Sequence, residues 1–138
     1  MKNTWVMCFL ALGLISICRC DDPPLVESRH SIWFQNNDTK VRLCLVTYSY
    51  PDTSLPDLVN SWELRGMPVN EKIPYNLNEE SWKNVEKNSS AKLCVFIFDS
   101  DTVSMYSWEE MKQCYKILMR YDLSAQELKN IKNTITYP

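Results

Sequence analysis

The chain has 138 residues and a formal net charge of −2 at pH 7, from 15 basic and 17 acidic side chains. This length fits one domain with a modest core. Because the charge is slightly acidic and no basic run occurs, the composition argues against nucleic acid and against an anionic membrane surface as partners.

The chain begins with the pattern of a secretory signal peptide. An apolar stretch over residues 5–17 follows a single lysine and is too short to cross a bilayer. Cleavage is expected after Cys18 or after Cys20. We therefore predict a signal peptide over residues 1–20, and a single β-rich domain over 21–138 that is secreted to the extracellular space.

Two glycosylation sequons lie in polar stretches, with the acceptor residues Asn37 and Asn88. An exported chain would pass the enzymes that modify such sites. We predict that both segments are at the surface and that both asparagines carry glycans.

Short runs of β-branched and aromatic residues predict most of the secondary structure. An acidic turn after the last of these runs predicts a hairpin whose second strand is 103–106. The region 66–90 has no clear periodicity beyond a helical turn at 78–82, and is either a surface loop or strands that the pattern does not reveal. The predicted strands are 31–35, 41–50, 58–65 and 92–98.

The C-terminal part of the chain predicts a helix over about 108–133. Ser107 and Glu110 form a capping box, and Ser124 and Glu127 repeat it. Apolar residues fall on one helical face: Met111, Cys114, Tyr115, Leu118 and Met119. The predicted fold class is therefore mainly β with a C-terminal α-helix.

Four cysteines remain if Cys20 is retained, and they allow three pairings between which the sequence does not choose. A bond from Cys94 to Cys114 would close a loop of about 20 residues and stabilise the fold by roughly 3 kcal/mol. The apolar helix face turns Cys114 towards the sheet, as that bond requires. Cys20 and Cys44 are the possible second pair.

Catalytic and metal-binding patterns are weak. His30 is the only histidine, there is no GxSxG motif, and two glycines are too few for the usual phosphate loop. Asp99 and Asp101 fit a solvated hairpin tip better than a calcium site. We expect no enzymatic activity, no cofactor and no metal site.

The second half of the chain carries a motif of a known family. Residues 94–96 (CVF), residues 104–106 (SMY) and then Cys114 follow the order of the pattern CD[VIL], EL[WY], Cys. This order resembles the histamine-binding-protein-like salivary lipocalins of ticks, small secreted barrels that bind amines, lipids or host proteins. The likeness extends over residues 31–50 and 92–133.

The sequence departs from that family at informative places. Val95 and Ser104 stand where the amine-binding members have acidic residues, so an ammonium ligand would lack its carboxylate partner. No later cysteine is present to pair with Cys44, and the middle of the chain is short for eight strands. The resemblance thus implies a reduced or incomplete member with an antiparallel lipocalin-like barrel or partial barrel.

The function implied by the resemblance is sequestration of a small hydrophobic or lipid-like ligand or a host mediator by a monomeric salivary protein. A biogenic amine is the less favoured ligand. Host inflammation or haemostasis would be the process affected. The residues we predict to line the pocket are aromatic: Trp33, Phe34, Tyr48, Trp62 and Phe96.

The alternative is a β-sandwich, immunoglobulin-like or of another type, that acts as a protein-interaction module on a host immune protein. Cys44, Trp62 and Cys94 follow the Cys-Trp-Cys order of immunoglobulin domains. A disulfide between Cys44 and Cys94 would favour this alternative. A disulfide between Cys94 and Cys114 would favour the lipocalin-like reading.

Overall fold

The computed structural model describes residues 30–57 and 63–138. These residues form seven strands and four helices. In chain order they are β1 (Ser31–Asn36), β2 (Arg42–Thr47), β3 (Arg65–Met67), β4 (Lys72–Asn76), α1 (Glu79–Lys87), β5 (Leu93–Asp99), α2 (Ser100–Met105), α3 (Trp108–Gln113), β6 (Met119–Leu123), α4 (Ala125–Asn130) and β7 (Thr134–Tyr137).

The strands form two sheets. Sheet A has the order β4-β1-β7 and sheet B has the order β3-β2-β5-β6. All neighbours are antiparallel except β1 and β7, which run parallel. Over the described residues the two sheets do not join into a closed barrel. The fold is thus β-rich, as predicted, but it is a mixed two-sheet structure with several short helices.

β1 is half-buried because its side chains alternate between the core and the outer face of sheet A. Ile32, Phe34 and Asn36 are buried, whereas Trp33 and Gln35 are partly exposed. The buried amide of Asn36 donates to the carbonyl oxygens of residues 40 and 67, at 2.8 and 2.9 Å. This polar group therefore joins the end of β1 to sheet B without losing its hydrogen bonds.

Sheet B has a hydrophobic core on each face. The side chains of Cys44, Val95 and Ile97 point towards sheet A and pack in one core with Phe34 of β1. The other face carries a second core cluster covered by α3 and by the segment before residue 58, namely Leu45, Leu55, Cys94, Phe96, Phe98 and Met111. The continuous apolar run of β5 is explained by this arrangement, since a strand covered on both sides needs apolar residues at every position.

The predicted long helix over 108–133 is wrong. The first capping box starts α3 and the second starts α4, as expected, but both helices have only six residues. Between them Tyr115 adopts a left-handed conformation with φ 49, and residues 119–123 pair with β5 as the edge strand β6. Pairing with a buried strand outweighed the helical spacing of the apolar residues.

The predicted hairpin is also wrong. Asp99 does not begin a turn between two strands but caps α2, accepting from the backbone N–H of Thr102 at 3.2 Å and from its hydroxyl at 3.0 Å. Residues 100–105 are consequently helical. The region 66–90 contains most of β3, all of β4 and α1, so it is not a long loop.

Some predictions fall outside the described residues. They include the signal peptide, Cys20, and residues 58–62 of the strand expected at 58–65. Within residues 30–57 and 63–138, no helix combines the length and apolar character needed to cross a membrane.

Candidate functional site

The structure distributes the predicted pocket residues over three regions. Phe34 is fully buried between the sheets, and Tyr48 packs at the margin of the same core. Phe96 is fully buried on the opposite face of sheet B, while Trp33 is partly exposed on the outer face of sheet A. Trp62 lies outside the described residues. The four described side chains therefore do not line a common pocket.

Two of these aromatic side chains, Tyr48 and Trp33, have defined surroundings within the fold. Burial raises the pKa of Tyr48 to about 12, so its hydroxyl stays neutral at ordinary pH. The Trp33 ring lies 5.1 Å from the Nζ of Lys72, which packs over it from the neighbouring strand. Such a cation–π contact is typical of an exposed sheet face.

The three described cysteines are free thiols. Cys94 pairs in register with Thr47, three positions along β2 from Cys44, and the two cysteines face opposite sides of sheet B. A bond between them would need backbone movement. Cys94 is buried whereas Cys114, at the end of α3, is exposed. The predicted Cys94–Cys114 disulfide is therefore absent, and so is the Cys44–Cys94 alternative.

Burial changes the chemistry of the two inner thiols. It raises the pKa of Cys44 to about 12 and also raises the pKa of Cys94. The Sγ of Cys94 lies 3.8 Å from a guanidinium nitrogen of Arg120. The central carbon of the same guanidinium lies 5.2 Å from the centre of the Phe96 ring. A thiol with a raised pKa is a poor nucleophile, so both thiols behave as core side chains.

Exposed apolar residues gather at one end of sheet B. Arg42 pairs with Asp99 and Ile97 pairs with Met119, so β2 begins, β5 ends and β6 begins at that end. The segments that adjoin these strand ends carry large exposed apolar side chains. Val41 precedes β2, Leu118 precedes β6, and Met105 and Tyr106 lie at the end of α2 and just after it, α2 being the helix that follows β5. We call them the end patch: Val41, Met105, Tyr106 and Leu118.

The end patch follows from how α2 and α3 begin. Asp99 caps α2 and Ser107 caps α3, so Met105 ends a short helix, Tyr106 lies in the link that follows, and both are exposed. Met105 is 69% exposed and Leu118 is 44% exposed. Side chains of this size cost free energy when they remain in water, and a patch of them marks an interaction surface.

A small cleft of about 150 Å³ lies beside Leu118 of the end patch and is also lined by Thr102 and Lys116, among others. The Nζ of Lys116 is 4.1 Å from the centre of the Tyr106 ring. Lys116 forms no salt bridge with another described residue, whereas the nearby Lys40 pairs with Asp101 at 3.4 Å. The end patch thus lies beside a lysine that forms no salt bridge within residues 30–57 and 63–138.

An ion-pair cluster around the buried Arg42 lies at the same end of sheet B. The guanidinium of Arg42 bonds to Asp38 and to Asp99 and lies 5.6 Å from the centre of the Tyr137 ring. Its hydrogen bond with Asp38 holds the pKa of that carboxyl below the usual value. The cluster ties the turn after β1 to the start of α2, which fixes the position of α2 relative to the sheet.

A second surface feature is an open groove of about 460 Å³ between β6 and β7, the edge strands of the two sheets. Tyr121, Leu123, Ile131 and Ile135 supply its apolar lining. The Tyr121 hydroxyl donates to the carbonyl oxygen of Thr136 at 3.0 Å and links the two edges. The volume of the groove is within the range of small-molecule sites, but the groove is open to solvent.

Groups with catalytic or metal-binding potential are scattered over the described part of the chain. The His30 ring stacks on Trp82 with 5.8 Å between ring centres. Residues 30–57 and 63–138 contain no group of three or more potential metal ligands. Comparison of the chain with protein-family models, curated proteins and solved structures finds no match.

The end patch was not recognised from the sequence. Its residues appear there as parts of the strand 41–50, of a hairpin and of an amphipathic helix. The signal that points to it is the pair of capping motifs at Asp99 and Ser107, because two helix starts eight residues apart leave room only for a short helix and an exposed link.

Proposed function

We propose that the protein is exported and acts by binding another protein through the end patch. The observation that carries this proposal is the exposure of four large apolar side chains on segments at one end of sheet B, with Lys116 packed 4.1 Å from the centre of the Tyr106 ring. The partner that fits is a protein surface with apolar side chains and a carboxylate that can reach Lys116.

The distribution of the aromatic residues supports protein binding over an interior ligand site. Phe34 and Phe96 fill two cores that sheet B separates, and both are fully buried. Their role in those cores is packing. The apolar area left available for a partner is consequently at the ends and edges of the sheets.

The resemblance to tick salivary lipocalins supports a host protein as the partner, with host inflammation or haemostasis as the process affected. Under this proposal the fold need not enclose a ligand, because some members of that family are expected to engage proteins. The two-sheet arrangement with short loops also suits the alternative of a sandwich-like interaction module.

The test compares three forms of the exported protein as immobilised bait in host plasma. One form is unchanged, one carries Met105→Glu with Leu118→Glu, and one carries Ile131→Glu. Ile131 is a matched control because it is 40% exposed, close to the 44% of Leu118, but lies outside the end patch. All three should show the same circular dichroism and melting temperature within about 2 °C, since exposed substitutions change stability little.

We expect one or more plasma proteins to bind the unchanged form and the Ile131→Glu form, and to bind the end-patch variant at least about tenfold more weakly by interferometry. Loss of two apolar contacts at the centre of an interface is sufficient for that effect. The proposal is rejected if the same proteins bind all three forms equally, or if none binds at micromolar concentration.

The groove between β6 and β7 supports a second candidate function, the carriage of a small hydrophobic ligand. Its four apolar lining residues and its volume of about 460 Å³ are the observations in favour. Native mass spectrometry with added fatty acids and biogenic amines tests it. A ligand adduct that disappears in an Ile131→Trp variant, whose larger side chain fills the groove, would favour carriage; no adduct in either form would exclude it.

A further inference from the structure

We propose that Asn88 carries an N-linked oligosaccharide and that its first sugar lies in a recess between α1 and α4. The inference rests on the export that forms part of the proposed function. It goes beyond the sequon itself, because it assigns a protein surface to the sugar and a stabilising role to the modification.

Asn88 is placed for modification at the end of α1. Its backbone N–H donates to the carbonyl oxygen of Asn84 at 3.0 Å and closes the helix, while its side chain is exposed. The side-chain oxygen accepts from the backbone N–H of Ser90 at 3.0 Å. The amide nitrogen has no hydrogen-bond partner among the described residues, so it is available to react with a sugar donor.

The Asn88–Ser90 hydrogen bond spans only two residues, so it can form before the rest of the chain folds. An N–H group that donates a hydrogen bond to the side-chain oxygen of Asn88 withdraws electron density from the amide and favours loss of a proton from the amide nitrogen. In the transfer, the nitrogen–C1 bond to the sugar forms, and the bond from C1 to the diphosphate of a lipid-linked oligosaccharide breaks. The proton passes from the amide nitrogen to a basic group of the transferring enzyme, and the lipid diphosphate is released.

The recess next to Asn88 has a volume of about 300 Å³. Val85 and Ala125 are among its apolar lining, and Glu86, Gln126 and Lys129 are among its polar lining. Lys129 and Glu86 pair across it at 3.4 Å. A sugar ring has apolar C–H faces and a rim of hydroxyls, and this combination of lining groups complements both.

The sequon at Asn37 has a different environment. Asn37 is also exposed, but its side-chain oxygen accepts from Gln35 at 3.0 Å rather than from its own sequon. The Thr39 hydroxyl donates to Asp38 at 3.2 Å, and Asp38 is bound by Arg42. The hydrogen bond within the sequon that favours Asn88 is therefore not formed at Asn37.

The test uses the full chain in a eukaryotic secretory cell line, once with its own N-terminus and once behind an unrelated signal sequence. Each is made unchanged and as Ser90→Ala, which removes the sequon hydroxyl but keeps Asn88 and the backbone N–H of residue 90. Peptide mass spectrometry measures occupancy. We expect a hexosamine-containing glycan on Asn88 of the unchanged form and none in the variant.

The role of the recess is measured on the same proteins. An endoglycosidase trims the Asn88 glycan to its first sugar, and melting temperatures are compared between full-length, trimmed and Ser90→Ala forms. Full and trimmed forms should both melt about 2–4 °C above the variant, a shift measurable for a domain of this size. The Gln126→Ala substitution should reduce that gap without changing occupancy.

The outcomes separate the two claims. If the chain is exported only behind the unrelated signal sequence, the export proposal fails while Asn88 can still be occupied. If the secreted protein lacks a glycan on Asn88 in either format, this inference is wrong. If Asn88 is occupied but the full, trimmed and Ser90→Ala forms melt together, the recess does not hold the sugar.

Discussion

Replacing Phe96 by alanine distinguishes a core residue from a pocket residue. Phe96 is 0% exposed, stacks near Phe98 with 6.4 Å between ring centres, and lies beneath the guanidinium of Arg120 at 5.2 Å. A fully buried Phe→Ala change costs about 3–5 kcal/mol, from lost transfer free energy and the cavity left behind. For a domain of about 100 residues, where 1 kcal/mol shifts the melting temperature by about 4 °C, the expected loss is about 12–20 °C.

The measurement is urea unfolding followed by tryptophan fluorescence, with Met105→Ala as the control. Met105 is 69% exposed, so its truncation should change the free energy of unfolding by less than about 0.5 kcal/mol. If Phe96→Ala costs less than about 1 kcal/mol while abolishing binding of a hydrophobic ligand, Phe96 lines a cavity and the two-core description of sheet B is wrong.

Three further predictions concern the thiols, the helix caps and the buried ion pair. Iodoacetamide at pH 8 should label Cys114 of the folded protein within minutes, and should label Cys44 and Cys94 only after unfolding. Peptide mapping identifies the labelled residues. A Cys94–Cys114 disulfide in the secreted protein would contradict the structure. Hydrogen bonds from Ser124 lower the pKa of Glu127 below the usual 4.5. The ionised Glu127 therefore stabilises the fold above that pH, and the stabilisation is lost as the pH falls through the lower pKa of the folded state. Glu127→Ala should destabilise the protein at pH 6, and the difference in unfolding free energy from the unchanged protein should narrow at pH 3. Arg42→Met should lower the urea midpoint more than Lys40→Met, because Arg42 is buried beside the partly buried Asp38 and Asp99, while the pair of Lys40 with Asp101 is exposed. Equal midpoints would show that the cluster does not stabilise the fold.

Much of the central sheet could be predicted from the sequence. The strands expected at 31–35, 41–50 and 92–98 match β1, β2 and β5 with small shifts of their ends. Each has a pattern that arises from its own environment, since alternation marks a strand with one open face and an unbroken apolar run marks a strand covered on both. The capping boxes at Ser107 and Ser124 were also predicted correctly, because the hydrogen bonds that define them are local.

The lengths of the C-terminal elements could not be predicted in the same way. The apolar residues at 111, 114, 115, 118 and 119 fit a helical face, yet only Met111 and Met119 are substantially buried. A left-handed residue at Tyr115 ends the helical path, and Asn133, also left-handed, turns the chain into β7. Which of these segments becomes a strand depends on the free edges of β5 and β1, partners that lie far away in the sequence.

The candidate site was misplaced for a related reason. Aromatic content alone does not distinguish a core from a binding surface, because both use large rings. Trp33 and Phe34 are adjacent in sequence but lie on opposite faces of β1, one partly exposed and one buried. In a strand with one open face, alternation places one of two neighbouring residues in the core and the other on the outer face. Trp33 and Phe34 could line one pocket only if β1 were interrupted between them.

The two cores of sheet B limit where a partner can bind. One face of the sheet is covered by sheet A and the other by α3 and the segment before residue 58, so neither face is free. The remaining surfaces are the outer face of sheet A, the edges and the ends. The outer face of sheet A carries mainly polar residues around Trp33, and Tyr121 links the two edges at β6 and β7. The end of sheet B next to α2 carries exposed apolar side chains beside Lys116, and for that reason variants at Met105 and Leu118 are the most direct test of the proposed protein binding.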